Sequence, residues 1–170
     1  MKRFLLRALA CCGCAAVALG AELPRLLDKA PVLPLALNDD FEFRKSRLFL
    51  LDSRFWKPSV DASITFERQR ALRGAVTAVD RLRRFGNYYT FYWRTKRSAD
   101  LIVRLEYRQE NLGAYVQAQE LVYPGAKGSF RSDFSVVGDD YFEDGKVTAW
   151  RAILIENGRI VALNQSFLWN

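Results

Sequence analysis

Two apolar stretches near the C-terminal end flank the dipeptide Asn157-Gly158, and this arrangement constrains the fold more than any other feature of the sequence. Residues 147–156 and 159–169 are rich in aliphatic and aromatic side chains, as β-strands are. Asn and Gly both tolerate the positive φ angles that the preferred two-residue hairpin turn requires. The sequence therefore predicts an antiparallel hairpin.

The turn also predicts the register of this hairpin. Counting residues outward from the turn places Glu156 opposite Arg159 and Leu154 opposite Val161. The same register then pairs Ala152 with Leu163, Trp150 with Gln165 and Thr148 with Phe167. These pairs hold the larger side chains, so we assign their face to the core. The opposite face is aliphatic near the turn and needs a cover, either the N-terminal segment or another loop, or a partner or second copy of the chain. The predicted partner interface is Ile153, Ile155, Ile160 and Ala162.

Alternation of apolar and polar residues indicates further strands upstream. It is clearest in residues 87–94 and 101–108, and it continues in residues 115–123 and 130–137, which are bounded by Gly-containing turn signals such as Pro124-Gly125. Weaker strand patterns occur at residues 41–44, 48–51 and 62–68. We predict a mostly β chain that forms an antiparallel β-sandwich of about seven strands.

Residues 87–169 resemble the immunoglobulin or fibronectin type III kind of sandwich. The resemblance rests on strand spacing: an early aromatic strand with Trp93, four or five middle strands, and a final hairpin with Trp150. It covers about half of the chain and implies architecture only, because such sandwiches host many functions.

One short helix is expected among the strands. Leu72, Ala75, Val79 and Leu82 follow helical spacing, and the pattern from Thr77 to Asp80 resembles a capping box. We predict a short helix or helical turn near residues 77–84.

The N-terminal residues predict export. Residues 1–21 combine a basic start, an apolar run at positions 8–20 and a small-residue end, the layout of a secretory signal peptide. The apolar run is shorter than the roughly 20 residues of a membrane-spanning helix, so cleavage is favoured over an uncleaved anchor. Prolines then indicate an extended lead-in over residues 22–40, before a single domain at 41–170. We expect a periplasmic or extracellular protein of a bacterial envelope.

The leader also limits the chemistry of the exported chain. The three cysteines, Cys11, Cys12 and Cys14, all lie within it, and the sequence has no histidine. After cleavage, a thiol nucleophile, an imidazole base, a disulfide and a Cys/His zinc site are excluded. The sequence also lacks a Gly-rich phosphate loop, a Gly-x-Ser-x-Gly elbow and a dinucleotide fingerprint. We expect no enzymatic activity and no cofactor.

Charge is unevenly distributed. Residues 44–108 contain sixteen Lys or Arg and six Asp or Glu, whereas residues 109–170 contain five and eight. The plain interpretation is two solvated faces of opposite charge; the functional one is a basic surface that attracts polyanions. For an exported protein, an acidic polysaccharide or an envelope protein is a more natural partner than nucleic acid. Membrane contact is expected only through the leader.

Two sets of residues are candidate sites. The outward side of the aromatic strands places rings beside arginines, which suits acidic sugars or a protein partner, although an ordinary exposed sheet face has the same pattern. This predicted ligand-binding set is Tyr88, Tyr92, Arg94, Arg104 and Arg108.

The second set is the acidic segment at residues 133–144. Its simplest interpretation is a solvated turn, and the alternatives are a calcium site or a pair of carboxylates that hydrolyses a polysaccharide. The calcium candidates are Asp139, Asp140, Glu143 and Asp144. Our favoured prediction is an exported, non-enzymatic binding or scaffolding protein of the cell envelope, with the hydrolase as the alternative.

Overall fold

A computed structural model describes residues 23–27, 29–52, 60–72 and 74–169 of the chain. The predicted leader and its cysteines lie outside these residues. The described part is mostly β, as predicted, with three α-helices and two short 3-10 helices besides its strands, the latter at Glu110–Leu112 and, as the C-terminal turn, at Phe167–Trp169. The elements are β1 Arg25–Leu27, β2 Phe41–Leu51, α1 Ala62–Ala71, α2 Ala78–Leu82, β3 Gly86–Gln109, β4 Gln117–Val137, α3 Asp139–Asp144, β5 Val147–Glu156 and β6 Arg159–Gln165.

The six strands form one antiparallel sheet with the order β1-β4-β3-β5-β6, and β2 also pairs with β3. Strand β3 has 24 residues and is central. Its whole length pairs with β4 along one edge, whereas β2 and β5 share the other edge, β2 beside the first half and β5 beside the second. The predicted seven strands in two sheets are therefore six strands in one sheet. The predicted strands at 87–94 and 101–108 are two halves of β3, and those at 115–123 and 130–137 are two halves of β4.

The sheet folds back on itself between these halves. Trp150 of β5 lies opposite Tyr107 in the second half of β3, yet its ring centroid is 5.4 Å from that of Phe91 in the first half. Along a straight strand, Phe91 and Tyr107 would be about 50 Å apart. The first lobe is β2 with residues 86–95 and 128–137. The second lobe is β1, β5 and β6 with residues 101–109 and 117–123. The two lobes face each other across a common core.

Aromatic residues fill the space between the lobes. Phe91 and Trp93 are at most 1% exposed, and Trp93 stacks on Phe130 with ring centroids 4.7 Å apart. The indole Nε1 of Trp93 donates a hydrogen bond to the buried Ser132 hydroxyl at 2.9 Å. The polar atom of this large side chain is therefore satisfied inside the core.

The sequence predicted one turn between residues 94 and 101 and another between residues 123 and 130. The structure has a bend within β3 and within β4 at these places instead. The pairing of β3 with β4 shifts between Thr95 and Leu101. Gly125 adopts a φ of +59° there, and its N–H donates to the Asp100 carboxylate at 2.7 Å. The Pro124-Gly125 signal thus marks a change of direction within β4 rather than a turn between two strands, as bulges in long strands do.

The lead-in lies across the outward face of the second lobe. Its first part, β1, pairs with β4. It then crosses the sheet to the opposite edge, where the Pro34 carbonyl accepts from the Ile160 N–H at 2.9 Å and the Ala36 N–H donates to the Ile160 carbonyl at 2.9 Å. One segment therefore covers both outer edges of this lobe, which would otherwise expose unpaired backbone groups.

The predicted hairpin is confirmed at its turn and shifted beyond it. Asn157 and Gly158 have φ angles of +50° and +73°, and Glu156 pairs with Arg159. A bulge after Leu154 then places Ala162 opposite it, rather than Val161. The bulge turns Ala162 into the main core, and the predicted pairs beyond it are wrong by one residue.

Of the two described helices before β3, one was predicted. Thr77 caps α2 as expected, and the Thr77 Oγ1 accepts from the Asp80 N–H at 3.1 Å. Two hydrogen bonds from Thr77 to the Asp80 carboxylate lower the pKa of Asp80. The strand predicted at 62–68 is wrong, because Asp61 accepts from the Ser63 N–H at 2.7 Å and starts α1.

We expect Gly86→Ala to destabilise the fold severely. Gly86 has a φ of +143°, and a Cβ there would overlap the Val136 carbonyl oxygen of the neighbouring strand. The free energy of unfolding, measured with urea, is expected to fall by roughly 2–4 kcal/mol. Gly74→Ala is the control. Gly74 also has a positive φ, but a Cβ there would meet no atom within 4 Å, so the free energy of unfolding should fall by only about 1 kcal/mol. Equal losses would contradict the argument.

The buried tyrosines predict a loss of stability at alkaline pH. Burial raises the pKa of Tyr107 to about 12 and also raises the pKa of Tyr89. In the unfolded chain both groups ionise near pH 10. Stability is therefore complete below about pH 10 and falls as the pH approaches 12, by about 1.4 kcal/mol per pH unit for each tyrosine. Urea unfolding at several pH values should give a shallower decline for Tyr107→Phe, but not for Tyr115→Phe, whose side chain is exposed.

Candidate functional site

The outward side of the first lobe brings basic side chains around one tyrosine. Tyr92 lies opposite Lys45 of β2 on one side and Arg131 of β4 on the other. One row along, Thr90 lies between Arg47 and Asp133, and Arg94 lies one row in the other direction. Directly paired residues share a face of a sheet, and this face points away from the core residues Phe91 and Trp93. We call Lys45, Arg47, Tyr92, Arg94 and Arg131 the basic face.

The carboxylates near the basic face are already paired. Asp133 contacts the Nε of Arg131 at 2.8 Å and accepts from the Thr90 hydroxyl at 2.6 Å. This pairing raises the pKa of Arg131, which is charged at any physiological pH. Glu42 is paired with Arg44 at 2.7 Å.

Three exposed cations remain on the basic face, Lys45, Arg47 and Arg94. Among the described residues, none of their charged groups has a carboxylate within 4.0 Å. Their charges are therefore available to an anion from outside.

Tyr92 holds one of these cations in place. The Arg47 guanidinium carbon lies 5.7 Å from the centroid of the Tyr92 ring, a cation–π distance. Tyr92 itself is half-buried between its neighbours. The contact limits the freedom of the Arg47 side chain, so binding an anion there requires less ordering.

Tyr88 lies at one end of the same face but is already engaged. Its hydroxyl donates to the Arg84 carbonyl at 2.6 Å, and its ring is 6.3 Å from that of the half-exposed Phe49 opposite. Of the predicted ligand-binding set, Tyr88, Tyr92 and Arg94 share the outward face of the first lobe. Arg104 and Arg108 belong to the second lobe, beyond the bend.

Arg104 is a structural residue, which corrects its predicted role. Its side chain is 5% exposed, and its Nε lies 2.7 Å from Glu120. One terminal nitrogen lies 3.4 Å from Glu106 and donates to the Pro31 carbonyl of the lead-in at 3.0 Å. Its Nε and one terminal nitrogen are bonded within the protein and its side chain is buried, so Arg104 does not belong to an exposed binding face.

Arg108 is also occupied within the fold. Its guanidinium lies 4.8 Å from the centroid of the Trp169 ring, and Arg151 lies 5.1 Å from the same ring. Arg151 in turn binds Glu106 at 2.5 Å. Glu106 thus links Arg104 and Arg151 in one charged network, whereas Arg108 contacts the Trp169 ring and its buried Nε has no hydrogen-bond partner among the described residues.

The predicted partner interface is buried. Ile153, Ile155 and Ile160 are at most 5% exposed and pack against Leu33 of the lead-in. The lead-in is therefore the cover that this face needs, and Ala162 belongs to the main core. These four residues offer no surface to a partner.

The acidic residues at 139–144 do not converge on a metal. They form α3, and the described residues contain no group of three or more acidic, Cys or His side chains placed to hold an ion. The backbone of this segment closes one end of the sheet, since the Gln109 amide donates to the carbonyls of Asp140 and Gly145 at 2.8 and 2.7 Å. The four predicted calcium ligands are therefore not gathered into one cluster in the described part of the chain.

The carboxylates proposed for hydrolysis receive no structural support either. Asp133 is on the basic face, where it binds Arg131 and Thr90, whereas Asp139 and Asp140 start α3. Asp144 accepts from the Gln117 amide at 3.3 Å.

Sequence reasoning missed three members of the basic face, Lys45, Arg47 and Arg131. The alternation in β2 is broken by a bulge between Phe43 and Lys45, which hides the strand pattern. Arg131 was predictable. The strand pattern at residues 130–137 places Phe134 on the core face, and Arg131 is therefore a basic residue on the outward face.

Comparison of the chain with protein-family models, with curated proteins and with solved structures returns no match in any of the three. The resemblance to an immunoglobulin or fibronectin type III sandwich is therefore not confirmed. None of the helices in the described part of the chain is long and apolar enough to cross a membrane.

We expect Arg104→Met to destabilise the protein by about 3 kcal/mol in urea unfolding. The substitution leaves the largely buried Glu120 without its cation and Glu106 with Arg151 alone, and removing one member of a buried ion pair is costly. Glu106 keeps Arg151, so the double variant Arg104→Met/Glu120→Leu should recover part of the loss. An Arg104→Met variant as stable as the wild type would show that the network contributes little.

Proposed function

We propose that this protein is an exported, non-enzymatic binding module of the cell envelope, and that the basic face is its binding surface. The observation that carries the proposal is the set of three unpaired, exposed cations around Tyr92 on an open sheet face. Export is inferred from the signal-peptide layout of residues 1–21.

The absence of reactive side chains supports binding rather than catalysis. The chain has no histidine, and its cysteines lie in the predicted leader. In the acidic segment 133–144, Asp133 is paired with Arg131 and the other acidic residues lie on α3, and the described residues contain no metal-binding cluster. A polysaccharide hydrolase would need two carboxylates that converge on the substrate, and the acidic residues of segment 133–144 are split between β4 and α3.

The contrast between the lobes also supports the basic face as the binding surface. On the second lobe, Arg104 and Arg151 are paired with Glu106 and Glu120, and Arg104 also donates to the lead-in. On the first lobe, Lys45, Arg47 and Arg94 stay in solvent. Exposed like charges repel one another and are tolerated more readily when an anion neutralises them.

Export and envelope retention test this proposal together. The full chain, produced with its own leader, should appear in the periplasm or medium with residues 1–21 removed. The purified protein should be retained on envelope fractions of the source organism. The variant Lys45→Ala/Arg47→Ala/Arg94→Ala should lose most of that retention, because it removes the three unpaired cations.

A charge-matched control separates a specific face from general basicity. Arg70→Ala/Arg81→Ala/Arg83→Ala removes the same charge from exposed positions at the helices and should be retained like the wild type. Equal loss for both variants, or no loss for either, would rule out the basic face as the binding surface.

A further inference from the structure

The ligand chemistry can be narrowed from the layout of the basic face, an inference that rests on the proposed function. Arg94, Tyr92, Thr90 and Tyr88 follow one another on the same side of β3. Alternate residues of a strand are about 7 Å apart, so this row is about 20 Å long. Such a row suits an extended ligand better than a small enclosed one.

The cations of the row are placed to bind several separate anionic groups. Lys45 and Arg47 stand on alternate positions of β2, and Arg94 stands on the neighbouring strand. An arginine presents a planar set of donors that matches a carboxylate or a sulfate. A single exposed ion pair contributes little, so useful affinity requires a ligand that repeats its charge along its length.

Around the cations the face is polar, and its exposed apolar ring, Phe49, lies at the Tyr88 end. Thr90 and Ser129 lie in the rows of Arg47 and Arg94, and they offer hydroxyl groups rather than apolar surface. Protein partners and membranes both favour an exposed apolar centre. The half-buried Tyr92 ring with the Arg47 guanidinium over it is instead a small flat surface, of the size of a sugar ring.

We propose that the basic face binds an acidic polysaccharide. Carboxylate or sulfate groups on successive sugars pair with Lys45, Arg47 and Arg94, and a sugar ring packs beside Tyr92. Tyr92 is a positioning residue for Arg47 through the cation–π contact as well as an apolar surface for the sugar. The binding is mainly electrostatic and weakens as salt screens the charges.

Titration calorimetry with three soluble polymers tests the ligand class: polygalacturonate, dextran sulfate and uncharged dextran. We expect the full-length protein, after export and purification, to bind at least one of the two polyanions at low salt, and not to bind dextran. The dissociation constant should rise as salt is added. Binding to dextran as tight as to dextran sulfate would overturn the proposal, as would no binding to either polyanion.

Variants locate the binding on the face. Lys45→Ala/Arg94→Ala should weaken polyanion binding by about tenfold, because two charge-assisted contacts are lost. Arg70→Ala/Arg81→Ala, which removes the same charge elsewhere, should change it by less than about threefold. Tyr92→Phe should bind like the wild type, whereas Tyr92→Ala should bind more weakly. Unchanged urea midpoints would establish that the variants are folded, and equal weakening by both double variants would overturn the proposal.

The failure of this inference is distinguishable from the failure of the proposed function. Envelope fractions treated with protease, and vesicles of phosphatidylglycerol, are tested with the wild type and Lys45→Ala/Arg94→Ala. If retention depends on the basic face but is lost after protease, or is reproduced by the vesicles, the polysaccharide proposal is wrong and the binding module stands. If retention never depends on these residues, both are wrong.

Discussion

The fold depends on the sharp bend that β3 and β4 share. Because both halves of the core belong to the same two strands, the lobes can face each other only if the chain holds that bend. Arg97 spans it, with exposed ion pairs of 3.2 Å to Asp40 before β2 and 2.7 Å to Glu156 at the end of β5. Its guanidinium also lies 4.8 Å from the Phe41 ring centroid. One side chain at the bend therefore contacts an element from each lobe, while the buried aromatic core between the lobes supplies the main stabilisation.

The lead-in covers the outward face of the second lobe, which the bend leaves exposed. Folding one sheet over itself buries the inner faces, but the outward face of the second lobe still has Ile153 and Ile160 near its hairpin. Leu33 covers these residues, and Pro31 accepts from Arg104 in the middle of the same face. A buried guanidinium is tolerated only with its donors satisfied, so the lead-in backbone and two glutamates are required together.

Local patterns predicted the elements well, but not the way they join. Asn157-Gly158 and the Thr77 cap act within a few residues, and both were predicted correctly. The bend was not, because Arg97 contacts Glu156, 59 residues away, and polar residues around Ser98 read as a loop. At the site, alternation identified Tyr92 and Arg94 as outward-facing. It could not show that an outward arginine such as Arg104 would be covered by a distant segment.

Arg94 and Arg104 show how one strand produces both a structural surface and the proposed binding surface. Both lie on the outward side of β3, and both belong to the basic part of the sequence. Arg104 has Glu120 on the neighbouring strand and Glu106 two residues away, so its charge is neutralised and it can be buried. Arg94 lies between Glu42, which already binds Arg44, and the uncharged Ser129. Whether an outward arginine of β3 is buried in ion pairs or stays exposed thus depends on the carboxylates near it. Arg104 has such carboxylates and is buried, whereas Arg94 has none free and stays exposed.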